Sequence, residues 1–148
     1  MKIKHADRME RITLSCIRKV FDKVRKLEAK GIEVVHLEIG RPDFDTPVHI
    51  KEAAKKALDE GFVHYTSSYG IKELREAISK KLSKDNGIEV NPEKEIIVTT
   101  GTSEAIFISI MATLNPGDEI IIPEPMFVYY TDWAEFAGAK TVSLPLKE

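Results

Sequence analysis

The first part of the chain carries hydrophobic residues with a helical period. Over residues 17–27 an apolar side chain returns every three or four positions, with charged residues between, and this spacing predicts an amphipathic helix that Gly31 ends. Residues 34–39 alternate imperfectly between apolar and polar side chains and are followed by glycine. This pattern predicts a short strand or an extended segment.

Two more helices are predicted before the middle of the chain. Thr46 offers a hydroxyl N-cap, Pro47 suits the first helical position, and Gly61 is placed to end the helix. A further helix is predicted to begin near Gly70. The residues predicted to be buried are Ile50, Ala53, Ala54, Ala57 and Leu58 on the first helix and Ile71, Leu74, Ile78 and Leu82 on the second. The residues predicted to face water on the second are Lys72, Glu73, Arg75 and Glu76.

The second half alternates between strand and helix patterns. Strands are predicted at residues 95–100, 119–122 and 140–146, and the helices between them at residues 103–114 and 126–137. Glycine and proline clusters separate these segments, as turns require. Such alternation predicts an α/β layer with parallel strands.

Composition and charge exclude several functional classes. The chain has 24 acidic and 22 basic residues, which gives a net charge of -2 and no basic excess for nucleic acid. Cys16 is the only cysteine, so no internal disulfide or thiolate metal cluster can form, and we expect it to be a small apolar filler. The four histidines lack metal-ligand spacing, and no apolar run approaches the roughly 20 residues that span a bilayer. We therefore expect a cytoplasmic protein without a metal, a nucleic-acid partner or a membrane partner.

The strongest candidate for chemistry is the sequence TTGTSEA at residues 99–105, where an apolar strand pattern meets a helix pattern. The first turn of a helix has unpaired N–H groups and the positive end of the dipole, which together bind anions. Thr102 and Ser103 add hydroxyl donors, and Gly101 lets a ligand approach the backbone. A phosphate group fits such a place, although a simple N-cap would also explain these residues.

Three other segments are candidates for ligand contacts, each with a plainer alternative. Phe127 follows a predicted strand end, where ligands of open α/β sheets bind, but it could equally belong to the core. Gly40 lies in a loop marked by proline and could offer its N–H to a carboxylate, or simply form a turn. Tyr65 begins the hydroxyl-rich loop YTSSYG, which suits a phosphate or carboxylate and is otherwise an ordinary loop.

In this order and spacing the motifs resemble the aspartate-aminotransferase-like family of fold-type-I pyridoxal-phosphate enzymes. The matching stretches are SCIR at 15–18, LEIGRPDFDTP at 37–47, YTSSYG at 65–70 with LREAI at 74–78, TTGTSEA at 99–105, NPGD at 115–118, and PMFVYY at 125–130 with AG at 137–138. The resemblance implies an α/β fold, an incomplete PLP-transferase large domain preceded by an N-terminal helical arm. It places the arm and a small-domain segment at residues 1–45 and the truncated large domain at residues 46–148.

The resemblance also implies roles for individual residues. Gly101, Thr102 and Ser103 correspond to the cradle for the phosphate of pyridoxal 5'-phosphate, and Phe127 to the aromatic residue that stacks on its ring. Gly40 corresponds to the residue whose main chain meets the substrate α-carboxylate. Tyr65 matches a tyrosine that reaches the phosphate of the partner subunit, which implies a homodimer.

The family's Schiff-base lysine falls beyond the end of this chain, so the resemblance implies no catalytic residue here. A substitute for it would need desolvation or a cationic neighbour to lower its pKa, and the lysines on the predicted helices fall on polar faces. They are Lys19, Lys23, Lys26, Lys51, Lys55, Lys56, Lys72, Lys80, Lys81 and Lys84. The resemblance thus implies the N-terminal part of an aminotransferase, which moves an amino group between an amino acid and a 2-oxo acid. We expect this part to be inactive alone and to bind pyridoxal phosphate weakly or not at all.

Other interpretations remain open at this point. The chain could be a non-catalytic dimerisation module, or the front half of a related pyridoxal-phosphate enzyme such as a carbon–sulfur lyase or a cyclopropane-carboxylate synthase. In the resembling family, later strands separate the strand predicted at residues 95–100 from the other two. We therefore expect the chain to rearrange its sheet, to oligomerise by its edges, or to bind a separate C-terminal half.

Overall fold

The computed structural model describes residues 4–12 and 16–147. The chain divides into two compact units, one formed by Met1–Arg41 with Ile106–Glu148 and the other by Pro42–Ala105. Five α-helices and two β-strands are described, after a short 3-10 helix at Asp7–Glu10. Their bounds are α1 Cys16–Glu28, α2 Val48–Asp59, α3 Lys72–Asn86, α4 Thr102–Thr113, β1 Glu119–Glu124, α5 Tyr129–Ala137 and β2 Lys140–Pro145.

The two strands pair in parallel, and α5 connects them. Their register aligns Glu119 with Lys140 and Glu124 with Pro145. Gly138 ends α5 in the left-handed region at φ 74° and donates its N–H to carbonyls of the last helical turn. This is the usual way for glycine to end a helix, because it has no Cβ to clash there.

The unit that contains these two strands has its core between α4, α5 and the start of β2. Its buried members are Ile110, Ala134, Ala137 and Ala139, and Ile106, Leu114, Ile120 and Trp133 pack against them. Ala134 is 0% exposed, so the space around this position is filled. Phe107 and Phe136 add an edge-to-face contact between α4 and α5, with ring centroids 6.2 Å apart.

The unit of Pro42–Ala105 is held together mainly through α3 and its flanking loops. The Ser79 hydroxyl donates to the Val90 carbonyl at 2.8 Å, and the Arg75 guanidinium donates to the carbonyls of Gly70 and Pro92. Neither α2 nor α3 contains a buried residue. These hydrogen bonds link α3 to its flanking loops, and Ile96 is the buried apolar residue among the described residues of this unit.

Several predicted elements agree with the structure and others are wrong. The predicted α1 and α4 agree to within one residue at their starts. Helix α5 begins only at Tyr129, and Pro47 occupies the cap position of α2 without a side-chain cap bond. Strand β1 continues through Pro123, past the predicted end. Residues 34–39 form no strand, and residues 38–39 lie in a bend, so the predicted strand is wrong there.

The predicted strand at residues 95–100 is wrong, because this segment pairs with no strand among the described residues. A strand is defined by lateral hydrogen bonds, and the bond from Val98 N–H to the Tyr69 carbonyl is a loop contact. Ile96 is buried there and Ile97 is exposed. The apolar pattern thus produced burial on one side without a neighbouring strand.

The predicted buried faces of α2 and α3 are only partly covered in this structure. Ile50, Ala53, Ala54 and Leu58 on α2, Leu74 on α3 and Ile71 at its cap are exposed, whereas Ala57, Ile78 and Leu82 are partly buried. Arg75 is predicted to face water, but in the structure it is partly buried. The side chain of Cys16 lies outside the described residues, so its predicted role as an apolar filler stays a prediction.

Membrane-spanning helices are absent from the described part of the chain. No helix in residues 4–12 and 16–147 combines the length and the apolar character that crossing a bilayer demands.

Candidate functional site

The turn at residues 99–103 leads directly into the first turn of α4. Gly101 adopts φ 85°, and no atom lies within 4 Å of the position that a Cβ would occupy. The Ala105 N–H donates to the Gly101 carbonyl at 3.3 Å, which is the start of the helical bonding pattern. The N–H groups before that point belong to the first turn, where helices lack internal partners for donors. Thr102 and Ser103 are exposed there, so a ligand can reach both hydroxyls.

Local hydrogen bonds fix the shape of this 99–103 turn. The Thr99 hydroxyl donates to the Gly101 carbonyl at 3.0 Å, and the Gly101 N–H donates to the Thr99 carbonyl at 2.8 Å. The Glu104 carboxylate accepts the Thr100 N–H at 2.5 Å. Glu104 thereby satisfies one donor of the turn and leaves the positions after Gly101 to face solvent.

The loop at residues 65–70 presents Tyr65 completely to solvent. It closes in a tight turn, where the Gly70 N–H donates to the Ser67 carbonyl at 2.9 Å and the Tyr69 N–H to the Ser67 hydroxyl at 3.2 Å. The Tyr69 carbonyl accepts the Val98 N–H at 3.0 Å. The 65–70 loop is therefore attached to the extended segment that continues into the 99–103 turn.

In the other unit, Phe127 lies among aromatic rings. Its ring centroid is 5.3 Å from that of Tyr129, 5.6 Å from that of Tyr130 and 6.1 Å from that of Trp133. The contacts with the two tyrosines are edge-on, a favourable arrangement of aromatic pairs. The Phe127 side chain is still 45% exposed, so part of it is available to a planar ligand.

Gly40 lies in an exposed loop with open space around its Cβ position. Close before it, His36 contacts two carboxylates: its Nδ1 lies 2.8 Å from Glu38 and its Nε2 lies 2.9 Å from Glu28 at the end of α1. The hydrogen bond to Glu38, together with that to Glu28, raises the pKa of His36, and the bond to His36 lowers the pKa of Glu38. This His36 clasp ties the segment before Gly40 to α1.

Some of the predicted site residues lie next to one another in the structure, and others belong to a different unit. Gly101, Thr102 and Ser103 are contiguous at one helix start, and the 65–70 loop is bonded to the segment before them. Gly40 and Phe127 belong to the other unit. The roles assigned to these residues remain predictions.

Sequence patterns missed Arg75, Glu104 and the His36 clasp as parts of these segments. Each is a polar residue whose partners are set by loop conformation, so periodicity carries no signal for them. Asp132 is the buried charged side chain among the described residues, and no lysine there is buried. Among the same residues, no group of three or more His, Cys, Asp or Glu side chains is placed to hold a metal ion.

Comparison with known proteins connects this arrangement to a family. The profile of the family described as aminotransferase class I and II matches residues 32–148. Aromatic-amino-acid aminotransferase 2 of Thermococcus litoralis is 46% identical over 144 residues, which cover 97% of this chain and 36% of that protein. Aspartate aminotransferase of Pyrococcus abyssi is 47% identical over 143 residues, with coverage of 97% and 36%.

A solved structure gives the same result at the level of the fold. Alanine aminotransferase from Pyrococcus furiosus is 38% identical with a TM-score of 0.91, and the match covers 98% of this chain and 37% of that one. The chain thus spans about a third of the length of the relatives it matches. The predicted fold, an incomplete α/β large domain of the PLP-transferase type, is confirmed. Sequence and fold agree along nearly the whole chain, and it belongs to the aminotransferase class I and II family.

Proposed function

We propose that this chain is the part of an aminotransferase that holds the cofactor phosphate. The observation that supports this most directly is the open 99–103 turn at the start of α4, in a chain of the aminotransferase class I and II family. The complete enzyme would transfer an amino group between an amino acid and a 2-oxo acid. The relatives are named for aromatic amino acids, aspartate and alanine, so the amino donor is left open.

The residues at the 99–103 turn fit the phosphate of pyridoxal 5'-phosphate. Two exposed hydroxyls, the donors of a first helical turn and an open glycine form a set suited to an oxyanion. When bound, this cofactor supplies an electron sink for the bonds at the amino-acid α-carbon. In our proposal, Gly101, Thr102 and Ser103 hold and orient the phosphate.

The other predicted residues complete the proposal. Phe127 would stack on the cofactor ring, the Gly40 main chain would meet the substrate α-carboxylate, and Tyr65 would contact the phosphate of the partner subunit. The last role requires a homodimer. We propose the division into an arm with a small-domain segment at residues 1–45 and part of the large domain at residues 46–148, and a cytoplasmic location.

The reacting group is proposed to come from elsewhere. No lysine of the described residues is buried, whereas a Schiff-base lysine needs desolvation or a cationic neighbour to lower its pKa. Amino-group transfer would therefore depend on polypeptide that corresponds to the remaining two thirds of the relatives' length. The chain alone would bind the cofactor weakly and turn over nothing.

The phosphate role is tested by titrating pyridoxal 5'-phosphate into the isotope-labelled chain and following backbone amide resonances. Shifts are expected at Gly101, Thr102 and Ser103, and replacing both hydroxyl residues by alanine should raise Kd about tenfold or more, since hydrogen bonds to charged groups contribute about 1.5–3 kcal/mol each. Thr113→Ala at the other end of α4 is the matched control. Equal affinity in all variants would disprove the cradle.

The ring contact has an independent test in the fluorescence of Trp133, the only tryptophan. A planar chromophore stacked on Phe127 is expected to quench this emission, and Phe127→Leu should weaken the effect. Phe107→Leu removes an aromatic ring at a different contact and serves as control.

Activity is tested by co-expression with the C-terminal two thirds of a relative. The combination should form a cofactor imine band and transaminate, whereas the chain alone should do neither. If the combination shows no band and no transfer, the enzyme interpretation fails and the non-catalytic dimerisation module is favoured.

A further inference from the structure

Arg75 holds the two loops that flank α3. Its Nε donates to the Gly70 carbonyl at 3.2 Å, just before the helix, and its Nη1 donates to the Pro92 carbonyl at 2.5 Å, beyond the helix end. The guanidinium has donors in a fixed planar arrangement, so it can bind both carbonyls at once. Bonds from a charged donor are also stronger than neutral ones. One side chain therefore fixes the distance between two segments far apart in sequence.

Gly70, whose carbonyl accepts from Arg75, is itself in close contact with Val98. A Cβ at Gly70 would lie 2.6 Å from Val98 Cγ2 and 2.7 Å from Val98 Cβ, closer than carbon atoms approach. Gly70 also has φ 94°, where glycine is the suitable residue. The neighbouring bond from Val98 N–H to the Tyr69 carbonyl adds a polar contact. The 65–70 loop and the extended segment before the 99–103 turn are therefore in close contact at this point.

The contact joins the two segments for which we proposed phosphate roles. Tyr65 lies at one end of the loop, and its side chain is fully exposed, so its position is set by the backbone behind it. Val98 immediately precedes the turn whose internal bonds link Thr99 to Gly101. A displacement of Gly70 would change both segments together.

We propose that Arg75 is a positioning residue that, through Gly70 and Val98, sets the 65–70 loop against the 99–103 turn. The inference rests on the proposed function, because it concerns the same phosphate-binding residues. In a dimer with Tyr65 directed to the partner, this junction would connect the phosphate held by one subunit with the phosphate held by the other. In this proposal Arg75 acts through the two loops and not by contact with the phosphate.

The first test measures amide hydrogen exchange in the chain without ligand. Arg75→Gln is expected to raise the exchange rate of the Val98 amide about tenfold, because loss of a charged hydrogen bond costs on the order of 1.4 kcal/mol. Ser79→Ala is the matched control, since it removes a bond from α3 to the Val90 carbonyl without touching Gly70. Unchanged Val98 exchange in Arg75→Gln, or an equal increase in Ser79→Ala, would overturn the proposal.

The second test measures pyridoxal 5'-phosphate affinity at the amides of residues 101–103. Arg75→Gln should raise Kd about five- to tenfold, and Arg75→Lys should give an intermediate value because an ammonium lacks the planar pair of donors. Lys80→Gln, which removes an exposed charge from the same helix, should leave Kd within about twofold. Equal losses in the Arg75 and Lys80 variants would mean that net charge alone acts, which contradicts positioning.

These tests separate the two proposals. If the unaltered chain binds no pyridoxal 5'-phosphate at residues 101–103, the proposed function fails while Val98 exchange still decides the role of Arg75. Should Arg75→Gln unfold, Arg75→Lys replaces it in the exchange measurement, because an ammonium lacks the planar pair of donors that binds both carbonyls. Val98 exchange that is unchanged in Arg75→Lys would then overturn the proposal.

Discussion

Helices α2 and α4 have the same length, 12 residues, but opposite relations to a core. Helix α4 is apolar nearly all round and contributes Ile110, which is 6% exposed. Helix α2 alternates charged and apolar residues in the usual amphipathic manner, yet it contains no buried residue. Its Leu58 is 62% exposed.

The difference shows that an amphipathic pattern predicts which face of a helix is suited to burial, but not which other element covers that face. Helix α4 meets α5 within the same unit, so Ile110 is buried and Ile106 packs against the core, while Ile108 and Met111 on its other side stay exposed. The apolar stripe of α2 has no such cover among the described residues of its own unit. For a chain that spans about a third of its relatives, such uncovered stripes are expected where the rest of the family fold would pack.

The largest expected effect comes from truncating a core residue of α4. Ile110→Ala should reduce the free energy of unfolding by about 2–5 kcal/mol, because a buried cavity adds to the lost transfer energy. Leu58→Ala on α2 should change it by less than about 0.5 kcal/mol. Urea denaturation of both variants measures the comparison, and a comparable loss at Leu58 would mean that α2 is buried in solution.

A larger side chain tests the contrast between a buried position, on α5, and an exposed position, on α2. Ala134→Leu should cost about 1–3 kcal/mol, because Ala134 is fully enclosed and neighbours must move. Ala54→Leu on the exposed surface of α2 should be close to neutral. Thermal denaturation followed by circular dichroism distinguishes the two, and tolerance of leucine at 134 would contradict a close-packed core.

A smaller difference in stability is expected between substitutions of the glycines that end helices in the two units. Gly138 after α5 and Gly87 after α3 have φ values of 74° and 67°, so alanine at either position should cost about 1 kcal/mol in backbone strain. At Gly138 a Cβ would also lie 3.2 Å from Pro116 Cβ and 3.3 Å from its Cα. Gly138→Ala should therefore lose more stability than Gly87→Ala, where nothing lies within 4 Å. Equal melting temperatures would contradict the packing at Pro116.

The smallest effect is expected from the exposed His36 clasp, as a dependence on pH. The pKa of His36 is raised from 6.5, so its contribution is complete below that value and is lost as the pH rises through the folded-state pKa. The pKa of Glu38 is lowered from 4.5, so its contribution is present above that value and is lost as the pH falls through its folded-state pKa. The stabilisation is therefore greatest between these two ordinary values.

Melting temperatures of the unaltered chain and of His36→Gln measure this dependence. The difference between them should be larger near about pH 5.5 than near about pH 8.5. A difference independent of pH would show that the clasp does not titrate.

The accuracy of sequence prediction follows from where each signal originates. Local signals worked: Gly31, Gly61 and Gly138 follow helices, and the alternation from residue 102 onward gave α4, β1, α5 and β2 in order. The strand predicted at residues 95–100 is wrong because pairing depends on neighbours that are distant in sequence. Arg75 looked like a surface charge because its partners are carbonyls in two separate loops.

For the candidate site, residue types gave the chemistry and the family resemblance gave the roles. Hydroxyls that follow a glycine at a helix start suit an anion but equally suit a simple N-cap, so the phosphate role of Gly101, Thr102 and Ser103 stays a prediction. The sequence by itself determined the helices and membership in the aminotransferase class I and II family, because these depend on local spacing and ordered motifs. Only the tertiary structure decided which of the predicted strands pair, which apolar stripes are covered and that Arg75 donates to the carbonyls of Gly70 and Pro92, because all three depend on contacts between segments that no local pattern encodes.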